Sequence, residues 1–219
     1  MEENNDQVKE AVNEIKNTIK DVNFKSGSEE TKNLFSAMLQ NPVGKIKEIV
    51  KDASKYLKTA IILTIIWVVV VTLRDIISSV SIWGIEDYFE NFFKEVLDTL
   101  KIAVYPILTI AIFSVATYLV KKDKKVTEII PIVTIAKAPV ILSAVIGMLN
   151  LLPAKVLGFI TRFVSPIQSI LSILSAVLLY IGLRELFEEE DEVFIKKYVL
   201  IYGIYLVATI VLSFFKLYI

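Results

Sequence analysis

Three places in the sequence bring polar chemistry into long apolar segments: Lys137 in the third segment, the pair Arg74 and Asp75 at the end of the first, and Tyr205 inside the last. An ionisable residue within a membrane span is costly to bury, so it is a functional hypothesis by default. Lys137 could hold an anionic lipid headgroup or act as the coupling charge of a transporter. The alternative is that a broken helix leaves it at the membrane interface, where its flexible stem reaches water.

The other candidates also have a structural and a functional interpretation. Arg74 lies 16 residues beyond Lys58, about 24 Å along a helix axis, which places Arg74 and Asp75 just within the far membrane boundary. Neighbouring residues of a helix do not face each other, so we expect different partners and an anchoring role rather than a gate or proton relay. Tyr205 is too deep for the interfacial aromatic belt and needs a hydrogen-bond partner, which fits core packing better than ligand binding.

Familiar catalytic and metal-binding chemistry has few residues to use in this chain. The sequence has no Cys and no His, which removes disulfides, thiolate sites and the usual neutral-pH base. It has no glycine-rich phosphate loop, no serine nucleophile elbow and no paired carboxylates within the apolar segments. The acidic run at residues 188–192 lacks the ligand pattern and glycine of a calcium loop. We expect no enzymatic activity, metal or cofactor, and the net charge of zero gives no attraction to nucleic acid.

The apolar segments are the elements that must position these residues. Hydrophobic residues make up 55% of the 219-residue chain, and the mean hydropathy is +0.62. About 20 mostly apolar residues cross the hydrocarbon core as a helix, and five stretches qualify if flanking lysines reach the interface. We predict an all-α polytopic protein, a five-helix transmembrane bundle with spans at about 57-77, 102-120, 129-153, 164-183 and 198-217. The first 58 residues hold no apolar stretch that could form the core of a secretory signal, so we expect no cleaved leader.

Lysines and arginines near the membrane ends predict the orientation. One set of loops carries 12 of them and the other carries 6. The cytoplasmic side of a membrane protein carries the excess. We therefore expect the N-terminus in the cytoplasm and the C-terminus outside.

The N-terminal part of the chain is polar and amphipathic. Apolar residues that recur every three or four positions predict a short helix over residues 7–22, which Ser26-Gly27-Ser28 then breaks. A second stretch stops near Asn41-Pro42 and resumes as a basic amphipathic helix that we expect to lie on the inner leaflet. We assign residues 1–40 to a cytoplasmic arm. Anionic headgroups of the inner leaflet are expected to contact Lys45, Lys47, Lys51, Lys55, Lys121, Lys122, Lys124 and Lys125.

Two segments leave alternatives open. Lys137 lies between two prolines, and the residue before a proline disfavours the helical region, so we expect a break near Ala138. Residues 126–137 would then form an interfacial or half-inserted segment; the alternative is one long kinked helix from Ile129. The aromatic-rich residues 85–100 form either a separate surface helix or an outward extension of the second membrane helix.

Small residues on one helix face let two membrane helices approach closely. Ser165, Ser169, Ser172 and Ala176 form such a stripe in the fourth span, and Ser143 with Gly147 forms a small-xxx-small pair in the third. We interpret both as packing seams. A pathway for a polar solute is the alternative.

Four features of the layout from about Leu39 onward match one known family. They are the Asn41-Pro42 step into an amphipathic helix and the first span, the third-span entry VTEIIPIVTIAKAPVILSAVIG, the fourth-span exit YIGLRELF, and a fifth helix that ends the chain. In these features the chain resembles bacterial members of the Yip1 family. The resemblance implies a five-helix membrane domain over residues 41–219 with a cytoplasmic N-terminal arm, in a bacterial cytoplasmic membrane. Eukaryotic members are linked to Rab GTPases and vesicle traffic, but this chain lacks their Asp-Leu-Tyr-Gly-Pro motif.

Two functional hypotheses follow. The first is a non-enzymatic membrane organiser or adaptor, which recruits a partner or responds to membrane state through its amphipathic N-terminal region. The second is a small transporter or lipid-moving protein built around Lys137, because interrupted helices commonly form binding sites in membranes. Five spans divide poorly into two repeats, which favours the first. Membrane lipids are the expected partners, and the sequence is also compatible with a protein partner on the arm and with a homo-oligomer.

Overall fold

A computed structural model describes residues 2–21, 24–151 and 161–214 of the 219-residue chain. These residues form helices and contain no strand. Short 3-10 turns occupy Ala53–Tyr56 and Met148–Leu151. The α-helices are α1 (Glu2–Lys20), α2 (Phe24–Gln40), α3 (Pro42–Lys51), α4 (Leu57–Glu90), α5 (Phe92–Val120), α6 (Val126–Ala136), α7 (Ala138–Gly147), α8 (Thr161–Phe187) and α9 (Asp191–Phe214).

Five helical stretches of the described chain are long and apolar enough to cross a membrane. The prediction of an all-α polytopic membrane bundle is therefore confirmed. The predicted ends of the third and fifth spans, at residues 153 and 217, lie outside the described residues. The five stretches are Ala53–Val80, Phe92–Val120, Val126–Leu151, Arg162–Phe187 and Asp191–Phe214.

The segment at residues 85–100 does not form a separate surface helix. Its first part completes α4, which ends at Glu90, and its second part begins α5 at Phe92. Asn91 lies between the two helices, and α5 then continues without interruption to Val120. The alternative of an outward extension of the second membrane helix is thus confirmed for residues 92–100.

The most buried element of the bundle is α6. It packs against α1, α3, α4, α5 and α8. Within the most apolar window of the third span, 67% of the residues are buried, against 6% in the fifth span. Helix α9 is accordingly peripheral, with α5 and α8 as its main neighbours. Residues 126–136 are therefore enclosed by other helices and do not form an exposed interfacial segment. The buried residues of α6 are Thr127, Ile129, Pro131, Ile132, Val133, Thr134, Ile135 and Ala136.

The break predicted near Ala138 is confirmed, with Lys137 as the single residue between α6 and α7. The backbone N–H of Lys137 donates to the carbonyl oxygen of Thr134 at 3.0 Å, which closes α6. Its own carbonyl accepts from the N–H of Val140 at 2.9 Å, which starts α7. Pro139 in the first turn of α7 has no N–H and is well tolerated there, because the first N–H groups of a helix have no intrahelical acceptor. The chain therefore crosses the membrane as two helices joined at one residue.

Helix α3 packs on the bundle through its apolar face. Its apolar residues Ile46 and Ile49 are fully buried. Ile46 and Ile132 both approach Gly182 of α8: a Cβ added there would lie 3.1 and 2.8 Å from their side-chain carbons. The glycine therefore allows close contact between three helices. The prediction of an apolar face turned to the inner leaflet is wrong for these two isoleucines, because protein already covers them.

Helix α2 also belongs to the core. Leu34 and Met38 are 4% and 6% exposed and join the same apolar cluster as residues of the membrane helices. The break predicted at Ser26-Gly27-Ser28 is wrong, since α2 runs through it from Phe24. Gly27 is buried, and a Cβ there would overlap the side chain of Ile62 in α4. The structural division near the N-terminus therefore falls between α1 and α2, and the predicted boundary at residue 40 cuts through the core.

The stop predicted at Asn41-Pro42 is confirmed. Asn41 caps α3, and its side-chain oxygen accepts a hydrogen bond from the N–H of Gly44 at 2.9 Å. Pro42 occupies the first helical position, where a missing N–H costs nothing. The chain thus turns sharply between α2 and α3.

Ion pairs gather the lysine-rich loops at one end of the bundle. The lysine-rich segments lie before α4, between α5 and α6, and between α8 and α9. Every second crossing therefore returns the chain to the same end. The pairs are Lys47 with Glu185 at 3.3 Å, Lys121 with Glu189 at 3.6 Å, Lys124 with Glu188 at 4.0 Å and Lys125 with Glu10 at 3.9 Å. We call this the lysine-rich end.

Candidate functional site

Lys137 places a cation between the two halves of the third span. Its ammonium lies 4.8 Å from the centroid of the Phe113 ring in α5. The ammonium is largely buried, and no carboxylate or hydrogen-bond acceptor among the described residues stabilises its charge. A desolvated cation on an aromatic ring gains about 2 kcal/mol, whereas burying an ion costs several kcal/mol. The contact with Phe113 therefore offsets only part of the free-energy cost of burying the Lys137 charge.

Tyr205 shares the same aromatic neighbour. Its ring stacks on Phe113 with centroids 4.1 Å apart and planes inclined by 20°. Tyr202 meets Phe113 edge-on at 5.3 Å. The structure thus brings Lys137 and Tyr205 together through a phenylalanine that the sequence did not single out. Tyr202 and Tyr205 of α9 thus pack against α5 at this point.

Arg74 and Asp75 point to different partners, as adjacent helix residues must. The carboxylate of Asp75 accepts a hydrogen bond from the Thr99 hydroxyl of α5 at 2.7 Å. The Arg74 guanidinium reaches the C-terminal end of α7, where a Cβ on Gly147 would lie 3.5 Å from its Cζ. The carbonyl end of a helix favours a cation. The two residues therefore connect α4 to α5 and to α7.

A polar cleft of about 420 Å³ opens between α4 and α5 beside this pair. It combines two cations, one carboxylate and two hydroxyl groups with apolar walls. An adjoining, more open cleft shares Asp75, Lys101 and Ile102 with it. The ammonium of Lys101 also pairs with Asp98 at 2.5 Å. The lining residues of the first cleft are Val71, Arg74, Asp75, Ser78, Lys101, Ile102 and Tyr105.

The two small-residue patterns have different outcomes. Ser143 is buried, and its carbonyl accepts a hydrogen bond from the Gln168 side chain of α8 at 3.1 Å, so this seam between α7 and α8 is confirmed. The stripe of Ser165, Ser169 and Ser172 is exposed instead. The hydroxyls of Ser169 and Ser172 donate to backbone carbonyls one turn earlier in their own helix. Such internal bonds satisfy a serine hydroxyl without a partner on another helix, so the prediction of a packing seam within the bundle is wrong for these three serines, while Ala176 is half-buried.

The eight lysines predicted to contact anionic lipid fall into two groups. Five of them have carboxylate partners: Lys45, Lys47, Lys121, Lys124 and Lys125. The remaining three, Lys51, Lys55 and Lys122, are exposed and have no ion pair within the described residues. These three are the lysines most available to headgroups.

Lys45 belongs to a small network at the lysine-rich end. Its ammonium donates to Glu48 at 2.7 Å and to the Tyr56 hydroxyl at 3.2 Å. Partial burial opposes the charged form, but the hydrogen bonds to Glu48 and Tyr56 outweigh it and raise the pKa of Lys45. The Tyr56 hydroxyl in turn donates to the Glu48 carboxylate at 2.9 Å. The hydrogen bond from Lys45 and then that from Tyr56 lower the pKa of Glu48. The network keeps both charges at neutral pH and joins α3 to the following turn.

Glu189 holds a second network where α8 passes into α9. Lys197 donates to its carboxylate at 2.6 Å, and Lys121 lies 3.6 Å from the same oxygen. The ammonium of Lys121 also donates to the carbonyl oxygen of Phe187 at 3.1 Å. Both lysines lie 5.7 Å from the Phe187 ring centroid. The hydrogen bond from Lys197 lowers the pKa of Glu189 against the opposing effect of its burial, and the two nearby ammonium groups add to the decrease.

Several residues of these sites gave no signal in the sequence. Phe113 is one phenylalanine among apolar neighbours, and Lys101 and Thr99 look like ordinary residues at a helix end. Glu189 lies within an acidic run that is typical of a solvated connector. Their roles depend on contacts between residues far apart in the chain.

No protein-family model, curated protein or solved structure matches this chain. The resemblance to the Yip1 family therefore remains a prediction from layout.

Proposed function

We propose that this chain is a non-enzymatic membrane organiser or adaptor that recruits a partner through α1 at the lysine-rich end. The observation that supports this most directly is the state of α1. It is attached to the bundle by the Glu10–Lys125 pair and by buried Ala11, yet Val12 and Ile19 are 56% and 53% exposed. Most described apolar side chains of α2 and α3 are covered at least in part by the bundle, with Leu39 and Val43 as the exposed ones. Helix α1 thus offers an uncovered apolar surface outside the membrane-spanning stretches.

The placement of this end in the cytoplasm is part of the proposal. The excess of lysine and arginine supports it, because cytoplasmic loops retain such residues during insertion. Exposed Lys51, Lys55 and Lys122 would then lie near anionic headgroups of the inner leaflet. A bacterial cytoplasmic membrane and membership of the Yip1 family complete the proposal, on the layout of the chain.

The test is cross-linking in native membranes followed by mass spectrometry. The full chain is compared with a chain that lacks residues 1–21, because removal of residues 1–40 would also delete Leu34 and Met38 from the core. We expect a stoichiometric protein partner that is lost on this truncation. Retention of every partner by the truncated chain would contradict the adaptor role of α1.

Point variants of α1 sharpen the same test. Val12→Ser with Ile19→Ser removes the exposed apolar groups, and Asn13→Ser with Asn17→Ser alters exposed polar positions of the same helix. We expect the first double variant to lose the partner and the second to keep it. Equal recovery from both would show that the apolar residues of α1 do not carry the interaction.

A second candidate function is a small transporter or lipid-moving protein. The helix break at Lys137 and the incomplete compensation of its charge favour it. The test is flux in proteoliposomes: Lys137→Met is expected to abolish transport while the fold is retained. Equal flux in variant and wild type would exclude Lys137 from the mechanism.

A further inference from the structure

We propose that the polar cleft between α4 and α5 binds the headgroup of a zwitterionic phospholipid. The phosphate would contact Arg74 and Lys101, and the headgroup amine would contact Asp75. This inference is independent of the adaptor proposal, which concerns α1 at the other end of the bundle. It assigns a ligand to Arg74 and Asp75 in addition to their structural contacts.

The depth of the cleft matches the level of lipid phosphates. Arg74 lies about 24 Å along α4 from Lys58, and Lys101 lies about 30 Å along α5 from Lys121, at about 1.5 Å per residue. The hydrocarbon core is about 30 Å thick. When the lysine-rich end lies at one membrane surface, the cleft therefore lies near the opposite surface, where the headgroups of the other leaflet begin.

The lining comes from one face of each helix. On α4, Val71 and Ser78 each lie three or four positions from both Arg74 and Asp75, so the four residues line one side of the helix although adjacent Arg74 and Asp75 point in different directions. On α5 the lining continues from Lys101 to Tyr105, whose ring meets buried Trp67 edge-on at 6.0 Å. This contact packs Tyr105, which lines the cleft, against the core. The volume of the cleft is within the range of small-molecule sites in proteins.

The charges of the cleft suit a headgroup with both signs. The described residues include no carboxylate paired with Arg74, so its planar group is free to take two oxygens of one phosphate. Lys101 is paired with Asp98, but an ammonium has three donors and can bind a further oxygen. One carboxylate oxygen of Asp75 accepts from Thr99, and the other remains for an amine. A purely anionic headgroup would leave Asp75 without a cation.

The apolar part of the cleft distinguishes a lipid from a soluble phosphate ester. Val71 and Ile102 form walls at a depth where acyl chains begin. A molecule anchored by acyl chains is delivered to this level by the membrane, whereas a free ester must leave water to reach it. We therefore assign the cleft to a lipid.

The test is native mass spectrometry of the full chain in detergent with added phosphatidylethanolamine, phosphatidylglycerol or diacylglycerol. We expect one phosphatidylethanolamine to bind most tightly and diacylglycerol, which lacks phosphate, not to bind at this site. Arg74→Gln should weaken binding about tenfold, the loss expected for one charge-assisted contact. Asp75→Asn keeps an acceptor for Thr99 and should remove only the preference for phosphatidylethanolamine over phosphatidylglycerol. Arg162→Gln changes an exposed arginine outside the cleft lining and should leave binding unchanged.

Two further arms decide the outcome. Arg74→Lys retains the positive charge near α7, so it tests lipid binding even if Arg74→Gln fails to fold. It should bind the lipid more weakly than wild type, because lysine cannot hold a phosphate with two parallel hydrogen bonds. Soluble glycerophosphoethanolamine should compete only at far higher concentration than the lipid. Equal phosphatidylethanolamine binding by wild type and Arg74→Lys would overturn the proposal, as would an unchanged lipid preference in Asp75→Asn or equal binding of diacylglycerol. Equal competition by the soluble ester would overturn the assignment to a lipid.

Discussion

The ammonium of Lys137 lies 4.8 Å from the centroid of the Phe113 ring, and Lys137 is also the residue that separates α6 from α7 in the third span. The break and the charge therefore coincide at one position. The phenylalanine belongs to a different helix, and it also stacks on Tyr205 of the peripheral α9. Lys137 therefore contacts α5 directly, and the same phenylalanine links this position to α9.

Lys137→Met should raise the stability of the bundle. The substitution keeps a side chain of similar length, removes the cost of burying an ion and forfeits a cation–aromatic contact, with a net gain of about 1–2 kcal/mol. Thermal unfolding in detergent, monitored by circular dichroism, measures this change in stability. Lys122→Met, at an exposed position of the lysine-rich end, should change stability by less than about 0.5 kcal/mol. A loss of stability in Lys137→Met would mean that the contact of the lysine with Phe113 stabilises the fold by more than the burial of its charge costs.

Gly182→Ala should destabilise the protein, and Gly203→Ala should not. At Gly182 a Cβ would lie 2.8 Å from Ile132 and 3.1 Å from Ile46, and both isoleucines are fully buried and cannot move aside freely. Overpacking of this kind costs about 1–3 kcal/mol. At Gly203 of α9 the structure has no atom within 4 Å of the added group. There the higher helix propensity of alanine should stabilise by up to about 1 kcal/mol.

The same unfolding measurement serves both glycines. Equal effects at the two positions would contradict the close approach of α3, α6 and α8 at Gly182. A gain of stability at both would show that the isoleucines have room to repack.

Met38→Ala should cost far more stability than Leu39→Ala, although the residues are adjacent. Met38 is 6% exposed and belongs to the core, whereas Leu39 is 74% exposed. Truncation of a buried methionine to alanine typically costs about 2–5 kcal/mol. Chemical unfolding of the two variants tests whether α2 is part of the membrane domain. Similar stabilities would restore the view of residues 1–40 as a separable arm.

The general architecture was predictable because membrane insertion leaves a strong imprint on composition. Long apolar runs require helices, as lipid offers no partner for backbone groups, and Pro139 and Asn41 mark a break and a cap by their own chemistry. The burial of Ile46 was not predictable in this way. An apolar helix face looks the same in sequence whether lipid or protein covers it, and the choice depended on Gly182, far along the chain.

The candidate sites divide along the same line. Lys137 and Arg74 were visible because a charge within or beside an apolar run is conspicuous. Their neighbours in the structure, Phe113 and Lys101, could not be identified in this way, since both are ordinary residues at their positions in the sequence. Ser169 shows the opposite error, in which a regular spacing suggested a seam that the structure turns outward. Spacing along one helix identifies a face, but only the neighbouring helices determine what that face contacts.

Glu189 should give the lysine-rich end a measurable dependence on acid. The hydrogen bond from Lys197 lowers the pKa of Glu189 below its ordinary value of 4.5. A group whose pKa is lowered by folding stabilises the folded state fully above its unfolded-state pKa, and this contribution disappears as the pH falls through the folded-state pKa. Wild type should therefore be more stable than Glu189→Gln by a constant amount from pH 7 to about pH 5, and the difference should shrink below about pH 4.5.

Unfolding of the two proteins in detergent across this range provides the measurement, with Glu192→Gln as the matched control. Glu192 pairs with Lys196 on the same helix, but both side chains are more than 70% exposed, at 86% and 75%. Such surface pairs contribute little, so Glu192→Gln should track wild type at every pH. If the stability gap between wild type and Glu189→Gln stays unchanged down to about pH 3, the charge of Glu189 does not stabilise the junction of α8 and α9, and its contact with Lys197 acts only as a neutral hydrogen bond.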